Sequence, residues 1–346
     1  MPLRVLGGSG LRVSSLALGT GTFGNTDWGC TEAEAGRIYT RYREAGGNFV
    51  DTANKYAGGE SEAILGRLTE GERDEVVIGT KFTAAHPGSF LDNPNSFGNH
   101  VKSLRLALHR SLQRLRTDHV DVLWVHAWDP LTSITEMMRA LDAQVRAGLV
   151  LALGASNMPA WVVARANAIA ESHGWAPFTA IQVEYSLVER GAERELLPMA
   201  GHIGLATMAW APLAWGILSG KYLEPKEGEP TRLEPDHPKR DDRADAIARE
   251  VMAVAAERGL DAAQVALAWI RGRPEPPMVL LGARTVDQLE GNLGILDVSL
   301  DSETMERLDR VSAIEHGVPR EFLRSGDGID FFYGAAVPDV LEVGAR

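Results

Sequence analysis

Cysteine is almost missing from this chain: Cys30 is the only one in 346 residues. No intramolecular disulfide can form, and nothing in the composition asks for an oxidising compartment. Long apolar runs are missing too; none reaches the length that spans a bilayer. The opening stretch, Met1 to Leu6, lacks the apolar core of a signal peptide. Positive charge is in short supply, with 35 Lys and Arg against 47 Asp and Glu and a formal net charge of -12. Such a surface repels nucleic-acid phosphates and anionic membranes, though it leaves room for a local basic pocket. The nine histidines show no H-x-H or H-E-x-x-H spacing, so no metal site is expected and a metal-dependent barrel hydrolase finds no ligand set. His100 and His109 read as helix-surface residues. The expectation is a cytoplasmic globular protein without nucleic-acid or membrane partners, and its 45% hydrophobic content suffices for a sizeable core.

What is present is an alternation of strand-like and helix-like segments. A hairpin over Arg4 to Val13 precedes a first strand, Leu16 to Leu18. A helix from Thr31 to Ala45 follows, with Thr31 and Glu34 spaced as a capping box. Further strands are expected at Phe49-Val50, Val76 to Thr80, Val120 to Val125, Val150 to Ala155, Ala180 to Val183, Leu205 to Met208 and Met278 to Leu281. Helical patterns lie between them, the one ending at Ala147 stopped by Gly148. Eight βα units in series predict a (β/α)8 TIM barrel with an N-terminal β-hairpin and long loops at the C-terminal face of the strands. The whole chain, 1–346, reads as one such domain, with 314–346 as an irregular tail near the mouth. The segment from Glu224 to Arg243, rich in proline and charge, reads as a long loop over the same face.

Gly19-Thr20-Gly21-Thr22-Phe23-Gly24 matches G-x-G-x-x-G and follows a strand. A dinucleotide fold would need a helix opening at the third glycine. The residues that follow, Asn25 to Gly29, are turn formers, so a loop at the barrel mouth is expected instead.

Asp51, Lys81 and His126 each close a short apolar run, and Tyr56 lies five positions beyond Asp51. In a βα barrel these four groups meet at the face that carries chemistry. Carbonyl reduction needs a hydride on carbon and a proton on oxygen. A tyrosine can give that proton, a neighbouring ammonium makes it a better donor, and a carboxylate holds the ammonium in place. A histidine orients the carbonyl and shares charge as alkoxide develops. Each residue alone has an ordinary structural explanation; four complementary groups at successive strand ends favour catalysis.

The segment from Asp51 to Glu62 resembles the signature of the aldo-keto reductase family, and Gly79-Thr80-Lys81 and Leu123-Trp124-Val125-His126 resemble its lysine and histidine segments. The likeness continues through Gly154 to Asn157, Gln182 to Leu187, Trp210 to Leu213, Leu218 to Tyr222 and Gly282 to Asn292, and the bacterial branch of the family is the nearest in pattern. The resemblance implies NADP(H) laid across the strand ends, with Asp51, Tyr56, Lys81 and His126 as catalytic residues. It further implies that Ser156, Asn157 and Gln182 hydrogen-bond the nicotinamide carboxamide and that Trp210 stacks on the ring. Pro212, Leu213, Gly216 and Lys221 would wrap the pyrophosphate, and Gly282, Arg284, Gln288 and Asn292 would hold the adenosine end. Many family members carry an arginine where Gln288 stands and an acid where Gly291 stands. Arg284 is left as the obvious cation for a 2′-phosphate, with NAD(H) use open.

The expected substrate is a small aldehyde or ketone in a pocket lined by Phe23, Trp28, Phe82 and Trp128. Parts of Thr83 to Asn99 and of the tail, with Phe331, Phe332 and Tyr333, would complete it. Two alternatives share the barrel: an enoyl or keto reductase acting on nucleotide deoxysugars, and an NADPH-binding regulatory subunit like those of potassium channels. No stripe in the sequence declares an oligomeric interface.

Overall fold

A computed structural model describes residues 1–85, 93–224, 231–234, 236–325 and 331–332. Tyr333, Pro225, Pro230, Pro235 and residues 86–92 lie outside the described residues. The first elements are β1 (Leu3–Val5) and β2 (Arg12–Ser14), an antiparallel pair. Eight parallel strands then alternate with helices. They run β3 (Leu16–Gly19), α1 (Glu32–Glu44), β4 (Phe49–Asp51), α2 (Glu60–Leu68), β5 (Val77–Phe82), α3 (Val101–Leu115), β6 (Val120–Val125) and α4 (Ile134–Arg146). The second half continues with β7 (Val150–Ser156), α5 (Ala160–His173), β8 (Phe178–Glu184), α6 (Leu196–His202), β9 (Ala206–Trp210), α7 (Asp242–Arg258), α8 (Ala262–Arg271), β10 (Met278–Leu281), α9 (Val286–Leu293), α10 (Ser302–Val311) and α11 (Arg320–Arg324). β10 pairs with β3 and closes the sheet, giving the (β/α)8 TIM barrel that the alternation predicts. No helix opens at Gly24; β3 ends at Gly19 and the next helix waits until Glu32.

Local chemistry explains where the helices start. Thr31, Ser133, Asp241, Thr285 and Asp301 each accept a hydrogen bond from a first-turn N–H, and such a cap contributes about 1 kcal/mol. The Thr31 cap is only half a capping box. Glu34 does not reach back to its own N-cap; its Oε1 accepts instead from the Val286 N–H, 3.0 Å away at the start of α9. His100 is not a surface residue of its helix but the N-cap, with Nδ1 accepting from the Ser103 N–H at 3.3 Å.

Strand alternation sorts the side chains into two layers. Leu18, Val50, Ile78, Leu123, Leu153 and Ile181 point outward to the helices and form the main core. Ala17, Phe49, Val122, Trp124, Ala152, Ala180, Met208 and Met278 point inward and fill the barrel. Trp124 is the largest of these. It fits because two glycines make room: a Cβ on Gly154, its register partner on β7, would overlap the indole ring, and one on Gly79 of β5 would come within 2.8 Å of Trp124 Nε1. Leu6 and Val13 of the hairpin belong to the same inner cluster. Gly7 lies against Thr179 and Ala206, at the starts of β8 and β9. Among the described residues the hairpin therefore plugs the N-terminal end of the barrel, and the C-terminal end is open.

Candidate active site

β4, β5 and β6 end at this open face, and their inward positions place Asp51 and Lys81 inside the barrel, both fully buried. The Lys81 ammonium is ion-paired with Asp51 Oδ2 and donates to the Thr52 carbonyl at 2.8 Å and to Tyr56 Oη at 3.2 Å. Asp51 Oδ1 accepts from Gln182 Nε2 at 3.2 Å. Burial pushes the Asp51 carboxyl up, with Lys81 and Gln182 pulling back. Burial also works against the Lys81 ammonium, but Asp51 and Tyr56 outweigh it and hold its pKa above the ordinary lysine range. The ammonium is thus a fixed charge beneath the phenol.

Tyr56 and His126 face each other edge-on, with ring centroids 6.0 Å apart at 83°. His126 is largely enclosed, and its Nδ1 has no hydrogen-bond partner among the described residues. Burial, followed by the charges of Lys81 and Lys55, pushes its pKa down to about 3. A neutral imidazole therefore stands beside the phenol at any ordinary pH.

Above these groups lies a cavity of about 1100 Å³, larger than most single small-molecule sites. Asp51, Tyr56 and His126 line it, with Lys81 buried beneath. Its walls also include Ser156, Asn157, Gln182, Trp210, Pro212, Leu213, Gly216, Lys221, Gly282, Arg284, Gln288 and Asn292. Asn157 adopts a left-handed backbone, φ 48°, and its side-chain amide donates to the His126 carbonyl at 2.9 Å. The chain leaving β9 is bent by left-handed conformations at Ala211, Ala214, Trp215 and Gly216. Such conformations cost about 1–2 kcal/mol each outside glycine. At Gly216, φ 96°, an L side chain would be strained, and its Cβ would lie 2.6 Å from Lys221 Cε, so the lysine would have to shift.

Of the four aromatic residues expected around the substrate, Trp28 lines the cavity. The other three do not. Phe82 follows the inward Lys81, so alternation turns it outward into the helix layer, where it is buried. Phe23 is buried in the same layer beside the Phe23–Cys30 bridge. Trp128 packs edge-on against Trp161, with centroids 6.5 Å apart. Among the described tail residues, Phe322, Phe331 and Phe332 pack on one another and stay exposed. Arg320 ties the tail to the carbonyls of Glu193 and Arg194. Asn99 Nδ2 donates to Thr83 Oγ1 at 2.7 Å, and neither residue lines the cavity.

Two residues that the sequence reading did not single out are prominent at the mouth. Trp215 stands edge-on to Trp210, 5.9 Å between centroids, and Arg232 stacks on both Trp28 and Trp215. A tryptophan beside Gly216 was a signal available in the sequence; a lone arginine in a charged loop was none.

The aldo/keto reductase family model matches residues 15–313. This chain belongs to the aldo/keto reductase family. A norsolorinic acid reductase of Emericella nidulans is 38% identical over 324 residues, covering 91% of this chain and 82% of its own. A putative aryl-alcohol dehydrogenase of Saccharomyces cerevisiae is 35% identical over 335 residues, 93% of this chain and 89% of its own. An NADP(+) aryl-alcohol dehydrogenase of Phanerodontia chrysosporium is 34% identical over 343 residues, 94% and 88% of the two chains. These relatives are fungal, whereas the sequence pattern pointed to bacterial members. As an aldo/keto reductase the protein is an oxidoreductase of carbonyl and alcohol groups that works with a nicotinamide cofactor. Among the described residues, no helix is long and apolar enough to cross a membrane.

Proposed function

We propose that the protein reduces an aldehyde or ketone to the alcohol with NADPH, Tyr56 giving the proton. The observation that carries this reading is the Lys81 ammonium, paired with Asp51 and 3.2 Å from Tyr56 Oη at the floor of the cavity. A chain from carboxylate through ammonium to phenol, beside a neutral imidazole, suits delivery of one proton to one oxygen.

The cavity also fits a dinucleotide. Amide and hydroxyl side chains (Ser156, Asn157, Gln182) lie in the same wall as the tetrad, and Lys221 and Arg284 supply cations elsewhere in it. Trp210, which ends β9, lines the same cavity and offers an indole surface to a flat ring. We assign Ser156, Asn157 and Gln182 to the carboxamide, Trp210 to the nicotinamide face, Pro212, Leu213, Gly216 and Lys221 to the pyrophosphate, and Gly282, Arg284, Gln288 and Asn292 to the adenosine end. The relative named for NADP(+) supports the phosphorylated cofactor, and Arg284 near the N-terminus of α9 offers its 2′-phosphate a cation and a helix dipole.

When bound, the reduced nicotinamide supplies the hydride. The protein does the rest. His126 hydrogen-bonds the carbonyl oxygen as a neutral imidazole, and its lowered pKa keeps it from taking up the proton that Tyr56 delivers. Tyr56 Oη passes its proton to that oxygen as negative charge develops, and the Lys81 ammonium stabilises the phenolate left behind. Asp51 and the Thr52 carbonyl hold the ammonium in place. The names of the relatives favour aryl aldehydes as first substrates.

The test is NADPH oxidation with 4-nitrobenzaldehyde by wild type and Tyr56→Phe. Wild type is expected to turn over, and the variant to lose most turnover while still binding NADPH. A wild type that binds NADPH but reduces no member of a broad carbonyl panel would overturn the reading in favour of enoyl reduction or a regulatory role.

A further inference from the structure

Resting on the carbonyl-reductase reading, we propose that Arg232 is a specificity-determining residue that receives an anionic group, a carboxylate in the simplest case, carried by the substrate. Arg232 lies on the loop between β9 and α7. Its guanidinium carbon is 3.8 Å from the Trp28 ring centroid and 4.2 Å from that of Trp215. The two rings come from different βα loops and both lie against the guanidinium. Its N–H donors lie in the guanidinium plane and point away from a ring stacked on its face.

The stack is held from outside. Trp215 Nε1 donates to Glu184 Oε1 at 3.1 Å, and the same oxygen accepts from Lys239 Nζ at 2.6 Å. The backbone N–H groups of Arg232 and Leu233 donate to Tyr222 Oη at 3.3 and 3.1 Å, and that hydroxyl donates to the Trp215 carbonyl at 3.1 Å. The loop, the indole and the strand end are thereby tied into one frame.

Charge makes the case for an anion. Lys239, on the same loop, has Glu184 as its partner. Among the described residues, no carboxylate pairs with the Arg232 guanidinium. Arg232 stays exposed to solvent at the mouth; desolvation by the packed rings pushes its pKa down to about 10, and the Tyr56 phenol acts in the opposite sense. This cation, packed against two indoles, lines the same cavity as Tyr56, where a bound ligand can reach it. The flat fork of a guanidinium matches a carboxylate through two parallel N–H···O bonds. With two tryptophans beside the arginine, the fitting ligand is a flat aldehyde whose carbonyl reaches Tyr56 while its carboxylate meets the guanidinium.

The same guanidinium could serve a phosphate of the cofactor, and the experiment separates the two. Wild type, Arg232→Gln and Arg232→Lys are compared on 4-carboxybenzaldehyde and on the neutral 4-nitrobenzaldehyde, with NADPH affinity measured by fluorescence. The quantity read is the ratio of kcat/KM for the acid over the nitro compound. It is expected to fall about ten- to a hundredfold in Arg232→Gln and to be partly restored in Arg232→Lys, which keeps the charge but not the fork. An unchanged ratio overturns the proposal and leaves Arg232 as a clip between two rings. A parallel fall on both substrates with weakened NADPH binding also overturns it, assigning the guanidinium to the cofactor. A wild type that reduces neither aldehyde removes the underlying reading, and the proposal with it.

Discussion

The floor and the mouth of the cavity are built on different principles. At the floor, Asp51 and Lys81 are inward residues of adjacent strands, fully buried and bonded to each other. At the mouth, Trp28, Trp215 and Arg232 come from loops and are held by stacking. The floor is fixed by the sheet register that also fixes the barrel. The mouth can change without disturbing the sheet. Chemistry common to a family belongs on the first, and choice of substrate on the second.

If this contrast holds, damage to the floor is large and general. Tyr56→Phe should lower kcat by about 10²- to 10⁴-fold with little change in NADPH affinity, measured by steady-state kinetics and fluorescence titration. A loss under tenfold would mean that another group delivers the proton. Lys81→Met strands a buried carboxylate and should cost about 3–5 kcal/mol of stability, read from denaturant unfolding; an unshifted midpoint would show the pair to be dispensable.

His126 tests the floor through pH. Its folded pKa of about 3 lies below the ordinary value of about 6.5. The unfolded chain therefore takes up a proton that the folded one refuses. The resulting stability is present above about 6.5 and lost as pH falls toward 3. His126→Gln removes this contribution, so its unfolding midpoint should fall less steeply than that of wild type through this window. Parallel curves would show that the imidazole is not held neutral.

Damage to the mouth should be small and selective. Trp215→Phe keeps the stack but deletes the N–H donated to Glu184. About 1 kcal/mol is at stake, seen as a several-fold change in KM for aryl aldehydes with kcat nearly intact. An equal fall in kcat would join the mouth to the chemistry and dissolve the contrast.

The same division explains what could be read from the sequence. Asp51, Lys81 and His126 were legible because each ends an apolar run, and the fold follows from the repetition of such runs. Alternation also contained the correction for Phe82, since a residue next to an inward lysine must face outward. Phe23 had no such cue, because its burial depends on how a turn-rich loop packs back on α1 and α2. Arg232 was hidden for a related reason. Its partners are about 200 residues away and 17 residues away in sequence, at Trp28 and Trp215, and no local pattern links a stacked cation to rings on separate loops. Gln182 shows a third case: its place in the cavity wall was expected, while its bond to Asp51 depends on the geometry across the barrel.

The pairing of β10 with β3 has a consequence beyond shape. It is a seam joining residues 16–18 to 279–281, sewn further by Thr22 Oγ1 on the Ala283 carbonyl at 2.7 Å and by the Arg41–Glu290 ion pair. The cavity straddles this seam, with Gly19, Gly21 and Thr22 on one side and Leu280 to Arg284 on the other. A dinucleotide laid there would be a latch across the two ends of the sheet. Binding and closure of the barrel would then draw on the same free energy, and a cofactor held there would lock the fold as well as arm the enzyme.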